Sequence, residues 1–310
     1  MACVNSPHPD KGRSESVPPP PERPRTVGDA FRFPARIGLG THTLGESAQN
    51  HDRDVRAVGH ALDVGYRLID TAEIYGDGGA ERVIGEALHG FGAGRRSELF
   101  LVSKVDGRNA THRGTVRACE ASIKRMGCDY LDLYLLHGPE PRRFAETQRG
   151  FDELLQRGLV RHVGVSNFSV RDLEGWGYPV SCNQVRYSAD HRDIEQELLP
   201  YQRQCHIQTM AYSPLGRGSL TQHPFLLRLG QQHGLTAAQI ALAWCLHDPS
   251  IVVIPKSADP RRIEENLQAD SVRLSCEVIG QIGRICGPSS AWLPRGARGV
   301  IRRLRRLTGA

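Results

Sequence analysis

The stretch that decides the fold is LIDTAEIYG, residues 68–76, in which a short apolar strand runs directly into Asp70 and then, in the following loop, Tyr75. The residues before it, 53–64, repeat apolar side chains with the spacing of a helix, and Gly65 stands at the usual helix stop. A helix, a glycine and a buried strand that ends in a polar side chain are together typical of an α/β protein with parallel strands.

The same unit recurs along the chain. Short apolar runs that predict strands occur eight times, at residues 36–39, 67–69, 99–102, 130–136, 160–165, 182–185, 208–211 and 251–254. Helical periodicity lies between them, at residues 53–64, 81–89, 115–126, 151–156, 195–203 and 236–247. Alternation of this kind predicts a parallel sheet that closes on itself, which is the (β/α)8 or TIM barrel.

The length of 310 residues fits one barrel of about 250 residues with a tail at each end. We expect a Pro-rich disordered tail over residues 1–30, the barrel domain over 31–287 and an Arg-rich extension over 288–310. The first tail has no apolar segment of the kind that a signal peptide needs, and no membrane span is expected.

The net charge of +6 is concentrated in the second tail. Six arginines stand there with no acid between them, at Arg295, Arg298, Arg302, Arg303, Arg305 and Arg306. Without them the chain is close to neutral, so no nucleic acid partner is expected, and a solvated extension is favoured over one that touches a membrane surface. The alternative of surface contact stays open, and a monomer is favoured.

The cysteine and histidine patterns argue against a metal site. Eight cysteines are scattered without a C-x-x-C pair, and histidines such as His42 and His51 lack the spacing of metal ligands. Reduced thiols and a cytoplasmic location are the expectation.

In a (β/α)8 barrel the active site lies at the carboxyl ends of the strands. The residues that follow the predicted strands are Gly40, Thr41, Asp70, Ser103, Lys104, His137, Ser166, Asn167, Gln184, Tyr212, Ser213, Lys256 and Ser257. Nearly all are polar, so we expect them to converge at one end of the barrel.

Four ionisable residues among or beside these strand ends suggest acid chemistry. Tyr75 has a reference pKa of about 10, so it needs a cation to become a useful acid, and Lys104 would supply it by lowering that pKa. Asp70 would hold Lys104, and His137 would donate a second hydrogen bond to a developing oxyanion. This set fits carbonyl reduction, with the hydride supplied by a cofactor. Taken singly, the same residues could be a structural ion pair, a core histidine and an ordinary phenol.

Between residues 36 and 266 the chain resembles the aldo-keto reductase family. The segment 68–76, LVSK at 101–104, LYLLHGP at 133–139, GLVRHVGVSNF at 158–168 and IPKSADPRRIEEN at 254–266 are similar to five family motifs in the family order. The resemblance implies an NADPH-dependent oxidoreductase that reduces an aldehyde or ketone to an alcohol, or runs in reverse. It implies Tyr75 as the general acid, with Asp70, Lys104 and His137 completing a catalytic tetrad.

The resemblance also implies a set of residues for NADPH/NADP+. Ser166, Asn167 and Gln184 match residues that bond the nicotinamide carboxamide, and Tyr212 matches the aromatic that stacks on its ring. Gly40, Thr41, Asp70, Ser213 and Leu215 are also expected to bind the cofactor. Lys256, Ser257 and Arg262 match the residues that clasp the adenosine 2'-phosphate, and Glu265 and Asn266 those that hold the adenine. A guanidinium and an ammonium suit a phosphate dianion, which favours NADPH over NADH. Residues 256–266 can equally be a helix start capped by Asp259 and Pro260, and a helix N-terminus also favours phosphate.

Two positions depart from the family pattern. Asp106 and Gly138 stand where relatives often carry tryptophans that wall the substrate pocket, so a more open and polar pocket is expected. Asp106, Arg108 and His112 would then meet a polar small-molecule carbonyl or alcohol. Two other functions stay open, an NADPH-binding regulatory or redox-sensing subunit with a reductase-like barrel, and a barrel lyase or isomerase.

Overall fold

The structure is a computed structural model that describes residues 31–286. Eight parallel strands form one sheet in which each strand pairs with the next along the chain. They are β1 Leu39–Gly40, β2 Leu68–Asp70, β3 Phe100–Val105, β4 Leu131–Leu136, β5 Val160–Ser166, β6 Cys182–Arg186, β7 Gln208–Tyr212 and β8 Ile251–Val253. The predicted (β/α)8 barrel is confirmed, and each predicted strand agrees within three residues at either end.

The first and last strands meet and close the barrel. Parallel bridges join Ile37 to Val253 and Gly40 to Lys256, and the Gly38 amide donates to the Val253 carbonyl at 2.8 Å. Gly40 is required at this junction because a Cβ there would lie 2.6 Å from the carbonyl oxygen of Ile254.

Ten α-helices surround the sheet within the described residues. They are α1 His51–Asp63, α2 Gly79–Phe91, α3 His112–Met126, α4 Phe144–Gln156, α5 Val170–Trp176, α6 Leu198–Gln204, α7 Pro224–His233, α8 Ala237–Leu246, α9 Pro260–Gln268 and α10 Cys276–Ile285. All six helices predicted from periodicity are present, although α4 begins seven residues earlier than predicted and α6 follows a separate 3-10 turn at Asp193–Glu195. The cap predicted for α9 is confirmed, because the Asp259 side chain accepts from the Arg262 amide at 3.0 Å.

The helices α5 and α7 are the clearest ones that periodicity missed. Both are short, but both begin with a recognisable start signal. Ser169 and Asp172 form a capping box at α5, and Pro224 occupies the first turn of α7.

The inside of the barrel is filled by an apolar cluster toward the amino ends of the strands. Its buried members are Leu68, Val102, Leu133, Leu135, Cys182, Met210, Val252 and Ile254. Phe31 and Phe33 pack against it from below, 4.9 Å apart between ring centres, and Phe31 lies 4.7 Å from the His162 ring. These residues close the bottom of the barrel, which leaves the opposite end for the site.

None of the helices within residues 31–286 is both long and apolar enough to cross a membrane. In the same part of the chain, no three histidine, cysteine or acidic side chains converge as metal ligands would. The tails predicted at residues 1–30 and 288–310 lie outside the described residues, and the division into domains stays a prediction.

Candidate active site

A groove of about 1670 Å³ runs across the carboxyl ends of the strands. It is lined by every residue predicted for the catalytic tetrad and the cofactor except Lys104, that is by Tyr75, Asp70, His137, Gly40, Thr41, Ser166, Asn167, Gln184, Tyr212, Ser213, Leu215, Lys256, Ser257, Arg262, Glu265 and Asn266. Lys104 is fully buried behind Asp70 and Tyr75. Of the strand-end residues expected to converge, Ser103 was wrongly predicted, because side chains alternate along a strand and Ser103 Oγ donates to Glu81 on α2 at 2.6 Å.

The floor of the groove holds a buried ion pair between neighbouring strands. Lys104 Nζ on β3 lies 2.8 Å from the Asp70 carboxylate on β2, and it also donates to the Thr71 carbonyl at 2.6 Å. Gln184 donates to the second oxygen of Asp70 at 2.7 Å. Burial acts to lower the pKa of Lys104, but the negative charge of Asp70, followed by the nearby Tyr75 hydroxyl, outweighs it and raises that pKa. The lysine is therefore an ammonium at neutral pH.

The Tyr75 phenol lies above this ion pair, in the loop between β2 and α2. Lys104 Nζ lies 3.5 Å from the Tyr75 hydroxyl and 5.0 Å from the centre of its ring. The predicted lowering of the Tyr75 pKa is wrong in its net sign, because burial raises that pKa by more than Lys104 lowers it. Tyr75 therefore keeps its proton at neutral pH, while Lys104 stabilises the anion that remains after the proton leaves.

Close backbone packing fixes the loop that carries Tyr75. The Ala80 amide donates to the Tyr75 carbonyl at 3.1 Å, and Gly79 at the start of α2 lies against Gly45 in the loop after β1. A Cβ on Gly79 would approach the Gly45 carbonyl oxygen to 2.1 Å, so no other residue fits there.

His137 follows β4 on the far side of Tyr75, with 5.8 Å between the two ring centres. Its Nδ1 is buried and has no hydrogen-bond partner among the described residues. Burial, and then the charge of Lys104, lower the pKa of His137 to about 3, so the ring is neutral at neutral pH. A buried N–H without an acceptor is unfavourable, which assigns the single ring proton to Nε2 and makes that atom a donor.

Amide and hydroxyl groups form the wall beside the ion pair. Asn167 donates to Ser166 Oγ at 3.1 Å and to the His137 carbonyl at 3.0 Å, and the Tyr212 hydroxyl donates to Asn167 Oδ1 at 2.9 Å. These side chains come from the ends of β5 and β7, next to Gln184 on β6. Together they offer the donors and acceptors that a planar carboxamide needs, with an aromatic ring alongside.

The far end of the groove is basic and lies at the N-terminus of α9. Lys256 and Arg262 form no ion pair with any residue of the described range, and partial loss of solvent around its ammonium lowers the pKa of Lys256. Ser257 Oγ accepts from the Asp259 amide at 3.1 Å, which orders the turn between the two cations. Two uncommitted cations at a helix N-terminus suit a phosphate group. The donor set of the groove thus fits a phosphorylated nicotinamide dinucleotide.

The substrate contacts expected after β3 are wrong. None of Asp106, Arg108 and His112 lines the groove. Asp106 is paired with Arg108 at 2.7 Å, and His112 at the start of α3 lies 2.8 Å from Glu153 on α4. The chain leaves the mouth of the barrel at Asp106, where a 3-10 turn begins, so closeness to Lys104 in sequence does not bring these side chains into the site.

The openness expected at Gly138 stays a prediction. A Cβ built there meets no atom within 4 Å, but Gly138 is not among the residues that line the groove. Two wall residues that sequence reasoning did not assign are His42 and Ile74. Their positions in the sequence could have predicted this. His42 directly follows the strand exit at Gly40 and Thr41, and Ile74 directly precedes Tyr75.

Comparison with known proteins agrees with this geometry. The profile of the Aldo/keto reductase family matches residues 36–286. Methylglyoxal reductase YeaE from Escherichia coli is 38% identical over 258 residues, which cover 80% of this chain and 89% of that protein. Glyoxal reductase from Bacillus subtilis is 35% identical over 250 residues, covering 79% and 87%. An aldo/keto reductase from Klebsiella pneumoniae, solved in complex with NADP and acetate, has a TM-score of 0.77 at 37% identity and covers 82% of this chain and 92% of its own.

Proposed function

The chain belongs to the aldo/keto reductase family, and from that premise we propose that it reduces short 2-oxoaldehydes with Tyr75 as the proton donor. Its reaction class is the NADPH-dependent reduction of an aldehyde or ketone to an alcohol. The observation that carries the assignment of residues is the convergence of Tyr75, Lys104 and His137 at one end of the groove.

Two donors would hold the oxygen of the substrate. Tyr75 and His137 both line the groove, and a carbonyl oxygen between the Tyr75 hydroxyl and His137 Nε2 would accept a hydrogen bond from each. As negative charge develops on that oxygen, Tyr75 transfers its proton to it, and His137 stays a neutral donor throughout. Bound NADPH supplies the hydride.

The buried ion pair would support this proton transfer without touching the substrate. Lys104 stabilises the tyrosinate that remains, because its ammonium lies 3.5 Å from the hydroxyl. Asp70 keeps Lys104 charged and fixes its position, so it is a positioning residue in this scheme. Tyr75 later regains a proton from solvent, to which the groove is open.

The dinucleotide would lie along the groove. Ser166, Asn167 and Gln184 would hold its carboxamide beside the Tyr212 ring, and Lys256, Ser257 and Arg262 its 2'-phosphate. The two uncommitted cations at the far end support a preference for NADPH over NADH.

The substrate class rests on a further argument. No tryptophan or phenylalanine of the described residues lines the groove, so no bulky aromatic wall there demands a large apolar substrate. Two relatives carry the names methylglyoxal reductase and glyoxal reductase, which denote small dicarbonyl substrates. Both observations support a short 2-oxoaldehyde.

The test is Tyr75→Phe, which removes one hydroxyl and keeps the ring. We expect turnover of methylglyoxal, followed by NADPH absorbance, to fall by about 10²–10⁴-fold because the proton donor is lost. NADPH affinity, measured by quenching of protein fluorescence, should change little, since the cofactor contacts lie elsewhere in the groove.

Tyr178→Phe is a matched control, because its hydroxyl bonds to Asp152 on α4, outside the groove, and turnover should persist. Full activity in Tyr75→Phe would contradict the proposed acid. The regulatory subunit is not favoured by these relatives, and it would require NADPH binding without turnover of any carbonyl compound.

A further inference from the structure

A second histidine, in addition to His137, contacts the Tyr75 ring. His42 meets the Tyr75 ring edge-to-face, with 5.1 Å between ring centres and planes at 89°. Its ring is exposed, lines the groove and makes no hydrogen bond to any residue of the described range. The ring of His42 is therefore available to donate a hydrogen bond to a ligand next to the proposed acid.

A strained turn holds His42 in this place. The Leu44 amide donates to the Thr41 carbonyl at 2.9 Å, which makes His42 and Thr43 the two central residues of a tight turn. Thr43 has a φ of 72°, a region that β-branched residues rarely adopt. Such strain persists where surrounding structure enforces it and is concentrated at ligand sites.

The wall next to Tyr75 along the chain is apolar. Ile74 lines the groove with 39% of its surface exposed, which is unusual for a large aliphatic side chain. The space in front of Tyr75 therefore has a hydrogen-bonding wall from His42 and an aliphatic wall from Ile74.

A carbonyl carbon carries two substituents in addition to its oxygen, and at the aldehyde carbon of a 2-oxoaldehyde these are a hydrogen and an acyl group. With the aldehyde oxygen held by Tyr75 and His137, the acyl group would match both walls, because its carbonyl oxygen accepts a hydrogen bond and its alkyl group buries apolar surface.

We propose that His42 determines substrate specificity by donating a hydrogen bond to the second oxygen of a 2-oxoaldehyde. This assignment rests on the proposed function, in which Tyr75 and His137 hold the reacting oxygen. It concerns substrate binding, so His42 is expected to act on KM and little on proton transfer.

The experiment compares methylglyoxal with propanal, which has the same number of carbons and lacks the second carbonyl oxygen. His42→Phe keeps a flat ring against Tyr75 but removes the donor. We expect its KM for methylglyoxal to rise about tenfold, equivalent to about 1.4 kcal/mol, with the KM for propanal unchanged within twofold. His42→Asn, which restores an N–H donor, should recover part of the methylglyoxal affinity.

His51→Phe is the matched control, because His51 bonds to Glu86 on α2 and lies outside the groove. It should leave both KM values unchanged. Equal rises for both substrates in His42→Phe, or no rise for either, would overturn the proposal. If the unaltered enzyme turned over neither compound, the proposed substrate class would fail instead, which separates the two outcomes.

Discussion

The two ends of the barrel are built from the same strands but hold opposite kinds of side chain. At the amino end, Phe31, Phe33 and Phe100 pack on one another and on the apolar filling of the barrel. At the carboxyl end, Asp70 and Lys104 are fully buried as an ion pair beneath the groove. Aromatic packing adds stability directly, whereas a buried ion pair is weak evidence for it, because desolvation offsets the attraction. The contrast teaches that the lower end supports the fold and the upper end is arranged for chemistry.

The largest expected effect at the upper end comes from Lys104→Met. Turnover should fall roughly 10³-fold because Tyr75 loses the cation that stabilises its anion. The free energy of unfolding should fall by about 3–5 kcal/mol, since Asp70 is left as a buried unpaired charge. Steady-state kinetics and urea denaturation measure the two changes.

The double variant Asp70→Asn with Lys104→Met sharpens the contrast, because it removes both charges. It should regain most of the lost stability and none of the turnover. If activity returned together with stability, the ion pair would be structural only.

A second prediction compares one histidine at each end. His137 in the groove has a pKa lowered to about 3, against an unfolded value of about 6.5. Between these pH values the unfolded chain binds a proton that the folded chain does not, so stability falls as pH falls through this range. The contribution of His137 should reach about 1.4 kcal/mol per pH unit and should be absent in His137→Gln.

His162 at the lower end provides the comparison, because burial also lowers its pKa. The free energy of unfolding of His137→Gln and of His162→Gln can be measured by urea denaturation between pH 4 and 8, at roughly unit steps. In each variant it should fall less steeply with decreasing pH than in the unaltered protein. Only His137→Gln should lose turnover. Equal activity losses would mean that the two ends are not functionally separate.

The smallest expected effect is that of Phe33→Ala at the lower end. Phe33 is half-buried, so its removal should cost about 2 kcal/mol of unfolding free energy, below the range for a fully buried phenylalanine. The KM and kcat for methylglyoxal should stay within twofold. A loss of activity at temperatures where the variant is fully folded would show that the aromatic packing at the lower end influences the active site.

Much of this molecule could be predicted from local pattern. The strands read as apolar runs because both faces of a parallel barrel strand are buried, and the α9 cap was visible in Asp259 and Pro260. The rule that strand carboxyl ends face the active site predicted Asp70, Lys104 and His137 at one end of the barrel, but it failed for Ser103, which bonds to Glu81 on α2. The residues expected at the phosphate and adenine followed from the family resemblance.

What escaped prediction depends on contacts distant in sequence. The pKa of Tyr75 is decided by burial, which a cation nearby in the fold does not cancel. His112 was predicted to meet a substrate, but its ring is paired with Glu153 from another helix. His42 belongs to no motif, and its position after the strand exit at Gly40 and Thr41 did not reveal its contact with the Tyr75 ring.

The junction between β1 and β8, where the barrel closes, lies beside the proposed phosphate site. β1 and β8 have only two and three residues, and the Gly40 amide crosses between them to the Pro255 carbonyl at 3.1 Å. The next residue, Lys256, is bridged to Gly40 and is also proposed to hold phosphate. A ligand that binds only when β1 and β8 are paired shifts the folding equilibrium toward the closed barrel by mass action. A substitution that weakens the β1–β8 junction would therefore be expected to lower dinucleotide affinity as well as stability.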